Sequence, residues 1–200
     1  MARTIREEVA DFKRASILKE SAKQFYDKGY DRTRIDEIAT SLGVTKPFIY
    51  YHFKNKTEIL DEICVQSTAI SCETLEKALA DCDDVRDQVH SAVRQLALEV
   101  ISNQTGIGIC FREEKYISPE ARRRLEANRR RFDGLLSDLL SRANQAGVIS
   151  VEDAHIAAQV MTGAITWSFV WYREGGRLKP EDFAEQMLGL ILAMLKAKPA

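Results

Sequence analysis

The chain has 200 residues, 45% of them hydrophobic and 30% charged, and a formal net charge of −1. That is enough chain for a full hydrophobic core in one large or two small domains, and a near-neutral total excludes binding of nucleic acid by bulk charge. No apolar run approaches the length of a membrane span, and the first fourteen residues are charged throughout, so neither a spanning helix nor a signal peptide is expected.

Residues 1–12 form a mixed-charge arm carrying Arg3 and Arg6. The apolar spacing of Leu18, Ala22 and Phe25 predicts a first helix over residues 13–28, stopped at Gly29. Thr33, with Asp36 three residues on, reads as the capping box of a second helix whose apolar residues are Ile35, Ile38, Ala39 and Leu42. Gly43 ends it, since the residue past a last turn favours a left-handed backbone. Thr45 caps a third, short helix over about 46–53, with Pro47 in its first turn, where a missing N–H costs nothing. Ile49 and Phe53 lie one turn apart and can hold that helix to the second, leaving Lys46, Pro47, Phe48, Tyr50, Tyr51 and His52 for solvent and a partner. Two short helices joined by a tight glycine turn predict a helix-turn-helix, whose second helix enters the DNA major groove. Asn55 caps the next helix with Glu58 at the reciprocal position, and Lys56 in its first turn suits a phosphate.

That fourth helix should continue to about residue 80 and act as the lever between a basic module and the body. Residues 1–56 hold 12 Lys and Arg against 8 Asp and Glu, whereas residues 57–200 hold 17 against 22. The split predicts two domains, 1–56 for DNA and 57–200 for ligand binding and dimerisation. Asp84 caps a helix burying Val89, Val93, Leu96 and Val100. The stretch 103–117 is expected to be irregular, because Gly106 and Gly108 weaken a helix there. Ser118, Pro119 and Glu120 start a helix to about 146, ended by Gly147. Its arginines at 122–124 and 129–131 offer either a phosphate patch or a solvated face balanced by Glu113, Glu114, Glu120 and Glu126. An eighth helix is expected over 151–172, opened by Ser150 with Asp153, and Pro180 starts a ninth to about Leu195 whose apolar residues cover more than one stripe. The fold class is all-α, with about nine helices.

Cys64, Cys72, Cys82 and Cys110 lack any CxxC pair and read as core thiols. His52, His90 and His155 lack metal-ligand spacing, and no phosphate loop, dinucleotide fingerprint or nucleophile elbow occurs, so no enzyme, metal or cofactor is expected. A helical enzyme assembled from distant residues and a dimeric adaptor that keeps the helix-turn-helix only for packing are the readings of other classes. The placement of Tyr51 and Lys56 argues against the adaptor, which would need neither.

The run GVTKPFIYYHFKNKTEIL, with FYDKGYDRTRIDEIA upstream, resembles the signature of the TetR family of one-component transcriptional repressors. It departs at Pro47, where glycine is common, and at Phe48, where a small polar residue is common. The resemblance implies a cytoplasmic homodimer that binds a palindromic operator through Thr33, Thr45, Lys46, Pro47, Phe48, Tyr50, Tyr51, His52 and Lys56. It also implies a dimer interface on the last two long helices, with Trp167, Trp171, Phe183, Met187, Leu188 and Ile191 as candidates. The later segments CFREEKYISPEARRRLE and WSFVWYREGGRLKPEDF are similar to members that answer to acyl-CoA thioesters. A small hydrophobic effector, an acyl-CoA in the first instance, would then meet Phe111, Tyr116, Trp167, Phe169 and Trp171 through its acyl group. Arg112, Arg122, Arg123 and Arg129 would meet its phosphates. A multidrug or aromatic effector is the alternative.

Overall fold

A computed structural model describes residues 4–196, with the backbone alone at Ile5 and Arg6. The described residues form helices joined by loops, with no strand, and fall into two compact units. One comprises Met1–Ser67 and Thr105–Arg124, the other Thr68–Gln104 and Leu125–Ala200.

In the first unit, α1 (Ile5–Lys28) starts eight residues before the expected position. A capping box fixes the start: the Thr4 N–H donates to Glu7 Oε2 at 2.9 Å, and Thr4 Oγ1 accepts from the Glu7 N–H. The periodicity of buried residues could not show this, because the early turns are exposed, Val9 and Phe12 included. Arg3, assigned to the arm, lies outside the described residues. Helices α2 (Ile35–Leu42) and α3 (Lys46–His52) follow, α1 packing on α2 and α2 on α3. Gly43 adopts φ 66°, ψ 28°, and its N–H reaches the Thr40 and Ala39 carbonyls, closing the turn between them. Phe25, Ile38, Ile49 and Phe53 are fully or almost fully buried beneath these helices.

The cap of α2 differs from expectation by one residue. Arg34 is the N-cap, and its N–H donates to Glu37 Oε2 at 3.4 Å. Thr33 is 1% exposed, and its hydroxyl donates to the Gly29 and Gln24 carbonyls at 2.9 and 3.2 Å. It closes the end of α1 instead of opening α2.

Helix α4 (Lys56–Ala80) begins in this unit and continues into the second. Asn55 Oδ1 accepts from the Glu58 N–H at 2.8 Å, as expected of the cap. The stretch expected to be irregular is α6 (Gln104–Glu113) followed by one 3-10 turn, Glu114–Tyr116. Burying Ile107, Ile109 and Cys110 outweighs the roughly 1 kcal/mol that each of Gly106 and Gly108 costs a helix. The Cys110 thiol points at the Cys64 carbonyl, Sγ to O 3.5 Å, and both residues are buried.

In the second unit α5 (Val85–Ser102) is the central element, and α8 (Ala154–Thr166), α9 (Ser168–Trp171) and α10 (Pro180–Met194) all pack on it. Helix α7 (Pro119–Gln145) contributes Leu136, Leu139 and Leu140 to the core, each 0% exposed. Asp84 caps α5 by accepting from the Arg86 N–H at 2.8 Å. The expected helix over 151–172 starts later and is cut. Asp153, not Ser150, caps α8 by accepting from the His155 and Ile156 N–H groups. The Ser168 hydroxyl takes the Ile165 carbonyl at 2.7 Å where α8 ends and α9 begins. Ser150 instead donates its N–H to the Leu195 carbonyl, 3.0 Å away, tying the approach to α8 to the end of α10. Among the described residues no helix is long and apolar enough to cross a membrane.

Candidate functional site

Helix α3 has only seven residues, so its orientation depends on its ends. Ile49 and Phe53 anchor it, at 0% and 1% exposure. Its C-terminal carbonyl is held by a residue of α1: the Arg14 guanidinium donates to the His52 carbonyl, pairs with Glu62 on α4, and lies 4.0 Å from the Phe53 ring centroid. One arginine therefore fixes three helices by the planar, multi-donor geometry that lysine lacks. Arg14 carries no motif, and sequence reasoning did not single it out.

What α3 leaves outside is a compact polar and aromatic face. Thr45, Lys46, Pro47, Tyr50 and Tyr51 are exposed, Tyr51 to 80%. Lys46 makes a 3.1 Å pair with Asp36 across two exposed side chains, a contact worth little and readily exchanged for a phosphate or base edge. Phe48 is half-buried: its ring meets the His52 ring edge-on at 5.1 Å, and Lys13 Nζ lies 5.7 Å from its centroid. Burial, with Lys13 and Arg14 nearby, holds the His52 pKa below its ordinary value.

Two expected contact residues are placed otherwise. Thr33 is inside, as described above. Lys56 turns its ammonium inward to the carbonyls of Tyr30 and Thr33, at 2.8 and 3.0 Å, over the Tyr30 ring at 4.2 Å. Burial lowers its pKa, with Asp31 opposing. The end of α1 and the loop after it are gripped from α6 and the turn that follows it: Arg112 donates to the Tyr26 carbonyl at 2.8 Å, the Tyr30 N–H donates to Glu113 Oε1 at 3.4 Å, and the Tyr116 hydroxyl donates to Asp31.

Arg112 and Tyr116 thus serve the helix-turn-helix module, and Phe111 is exposed beside them. Four of the six arginines at 122–124 and 129–131 are paired with acids: Arg122 with Glu114, Arg123 with Glu120, Arg130 with Glu126 and Arg131 with Glu76. Arg129 is exposed on the same helix. A balanced, solvated face describes them better than a phosphate patch.

Two cavities are lined by described residues of the second unit, and none of the nine expected ligand residues lines either. Trp167 and Trp171 are about half exposed, and Phe169 is buried 6.0 Å from the Trp167 ring. One cavity is a pinch of about 30 Å³ among Leu96, Val100, Phe132, Leu136, Met161 and Ile165, with Ser71, Thr162 and Glu99 as polar wall. The other is an open cleft of about 640 Å³ along α4, α5 and the segment 172–180, a volume suited to a small organic ligand. Glu99 borders both. It is 7% exposed and accepts from Asn103 Nδ2 at 2.9 Å and Ser71 Oγ at 3.1 Å. Burial raises its carboxyl pKa, and those two hydrogen bonds oppose the rise.

Of the six expected interface residues, Trp167 and Trp171 are exposed and the other four lie inside the chain. Phe183, Met187, Leu188 and Ile191 are buried in the face of α10 that meets α5, Phe183 against the Trp171 and Tyr172 rings. The opposite face of α10 exposes Leu190, 68%, and Met194. Along α8 and at its C-terminal cap the exposed apolar stripe is Ile156, Val160 and Trp167, with Gly163 and Ala164 between.

The comparisons with known proteins agree with the helix-turn-helix geometry. Residues 17–63 match the model of bacterial regulatory proteins of the tetR family, and residues 82–195 match the tetracyclin repressor-like C-terminal domain. The chain belongs to the TetR family. It is a DNA-binding transcriptional regulator, not an enzyme. The HTH-type transcriptional activator FasR of Mycolicibacterium smegmatis is 25% identical over 158 residues, 79% of this chain and 69% of that protein. The HTH-type transcriptional regulator TtgR of Pseudomonas putida is 34% identical over 104 residues, 51% of this chain and 47% of TtgR. Among solved structures, AibR in complex with isovaleryl coenzyme A and operator DNA superposes with a TM-score of 0.78 at 26% identity, covering 89% of this chain and 97% of that one. The TetR assignment covers both expected parts, the DNA-binding module and a C-terminal helical domain.

Proposed function

We propose that this TetR-family chain is a cytoplasmic repressor that binds a palindromic operator as a homodimer and is released by a small effector with an apolar body. The observation that carries the DNA-binding part is the outward face of α3, with Lys46, Tyr50 and Tyr51 free of the core that Ile49 and Phe53 anchor. Residues 1–56 supply the DNA contacts, and residues 57–200 supply effector binding and dimerisation. Thr45 and Tyr50 contact phosphates, while Lys46 donates to guanine edges and Phe48 offers its ring to thymine methyls. In a dimer, two such helices read half-sites about 34–36 Å apart. An effector that binds better to a mismatched separation shifts the population off DNA, and operator must weaken effector binding by the same factor.

Two effector classes have support. The likeness to AibR, a structure that holds isovaleryl coenzyme A, favours an acyl-CoA. The acidic lining of the cleft, with Glu99 and Glu174 and no Lys or Arg among its described residues, favours instead an aromatic or multidrug-type compound that carries positive charge. The test has two stages. Selection from random duplexes should enrich a two-fold symmetric site, and a failure to enrich any duplex overturns the repressor reading. The preformed complex is then titrated with isovaleryl-CoA, with isovalerate and with an aromatic cation. Release by the thioester alone selects the first class, and release by the cation alone selects the second.

A further inference from the structure

We propose that the cleft along α4 and α5 is a receptor for an organic cation with an apolar body, and that Glu99 is the counter-charge built for it. This deepens the effector-released reading above and rests on it. The cleft walls are apolar at Ile70, Leu98, Ile101 and Tyr172, while the charges they hold are those of Glu99 and Glu174. Glu174 is exposed, so its charge is screened.

Glu99 differs. Its carboxylate is buried, and its hydrogen-bond donors, Ser71 and Asn103, are both neutral. It has no ion-pair partner among the described residues. Buried carboxylates are stable when a cation accompanies them, and each oxygen here keeps a lone pair beyond the bond it accepts. A ligand cation in the cleft would supply the missing charge, and desolvation there strengthens the attraction. An anion of the same shape would meet two carboxylates and no compensating cation. Behind Glu99 the 30 Å³ cavity, with Thr162 Oγ1 buried and without a partner, gives the carboxylate room to adjust or to hold one water.

Tetraphenylphosphonium and tetraphenylborate share one shape and carry opposite charge, so together they isolate the electrostatic part of binding. Calorimetric titration of the full chain, without DNA, should show the phosphonium binding and the borate not. Glu99→Gln should weaken the phosphonium by roughly tenfold or more, the loss of one buried charge partner, and Glu174→Gln much less. If Glu99→Gln fails to fold, Ser102→Lys serves instead: it sets a cation at the exposed cleft edge and should abolish binding with the fold intact. Equal binding of the two ions, absence of phosphonium binding, or unchanged affinity in the variant that folds overturns the proposal. Phosphonium binding that leaves the operator complex intact upholds the site and overturns the cation as the releasing effector.

Discussion

At the scale of single residues, two lysines both expected at the DNA surface are placed differently. Both sit at the first position of a helix in the DNA-binding module. Lys46 projects outward and holds only an exposed partner, Asp36. Lys56 is folded back onto the Tyr30 and Thr33 carbonyls and the Tyr30 ring. Spacing places a lysine at a helix start, but it does not say whether nearby carbonyls will capture the ammonium. We therefore expect Lys46→Ala to relax the preference at its guanine by about 1–3 kcal/mol and, with its charge gone from the DNA face, to lower the slope of log affinity against log salt. Lys56→Ala should lower the thermal midpoint and leave the slope unchanged. Affinity measured at several salt concentrations, alongside a melting curve for each variant, separates the two. A slope that falls for Lys56→Ala returns this residue to the DNA surface.

At the scale of elements, legibility followed the caps. Gly43, Asn55, Asp84, Pro119 and Pro180 each mark a boundary that their chemistry imposes locally, and the helices they bound stand within a residue or two of expectation. Errors arose where tertiary burial overrode local preference. Gly106 and Gly108 are poor helix residues, yet α6 forms because Ile107, Ile109 and Cys110 are buried along it. Thr33 has the look of an N-cap, yet its hydroxyl is used one element earlier. The turn between α2 and α3 can be tested directly. Gly43 holds φ 66°, and a Cβ built there meets nothing within 4 Å. Gly43→Ala should therefore cost about 1 kcal/mol from backbone strain alone, with no steric term added. Denaturant unfolding measures it, and a neutral substitution would mean that the turn relaxes out of the left-handed region at no cost.

At the scale of the whole molecule, the ninth expected helix shows what composition can and cannot reveal. Apolar residues on more than one stripe predict neighbours on two sides, but they do not say which stripe faces the chain's own core. Packing on α5 takes Phe183, Met187, Leu188 and Ile191. That leaves Gly189, Leu190, Ala193 and Met194 outside, with Ile156, Val160 and Trp167 exposed along α8 and at its C-terminal cap. Both helices pack on α5 by their other faces, so these stripes point away from it. A pair of exposed apolar stripes with small residues between them suits close helix packing with a second copy. Neighbouring substitutions on α10 then have opposite consequences. Leu190→Glu should give a chain that keeps its helical content but sediments as a monomer, with operator affinity sharply reduced because only one half-site can be held at a time. Leu188→Glu should instead unfold the second unit, since it places an unpaired charge at a position 7% exposed inside the chain. Analytical ultracentrifugation and circular dichroism distinguish these outcomes. A Leu190→Glu chain that remains a dimer and binds the full operator would move the interface off this face and remove the two-half-site model's structural basis here.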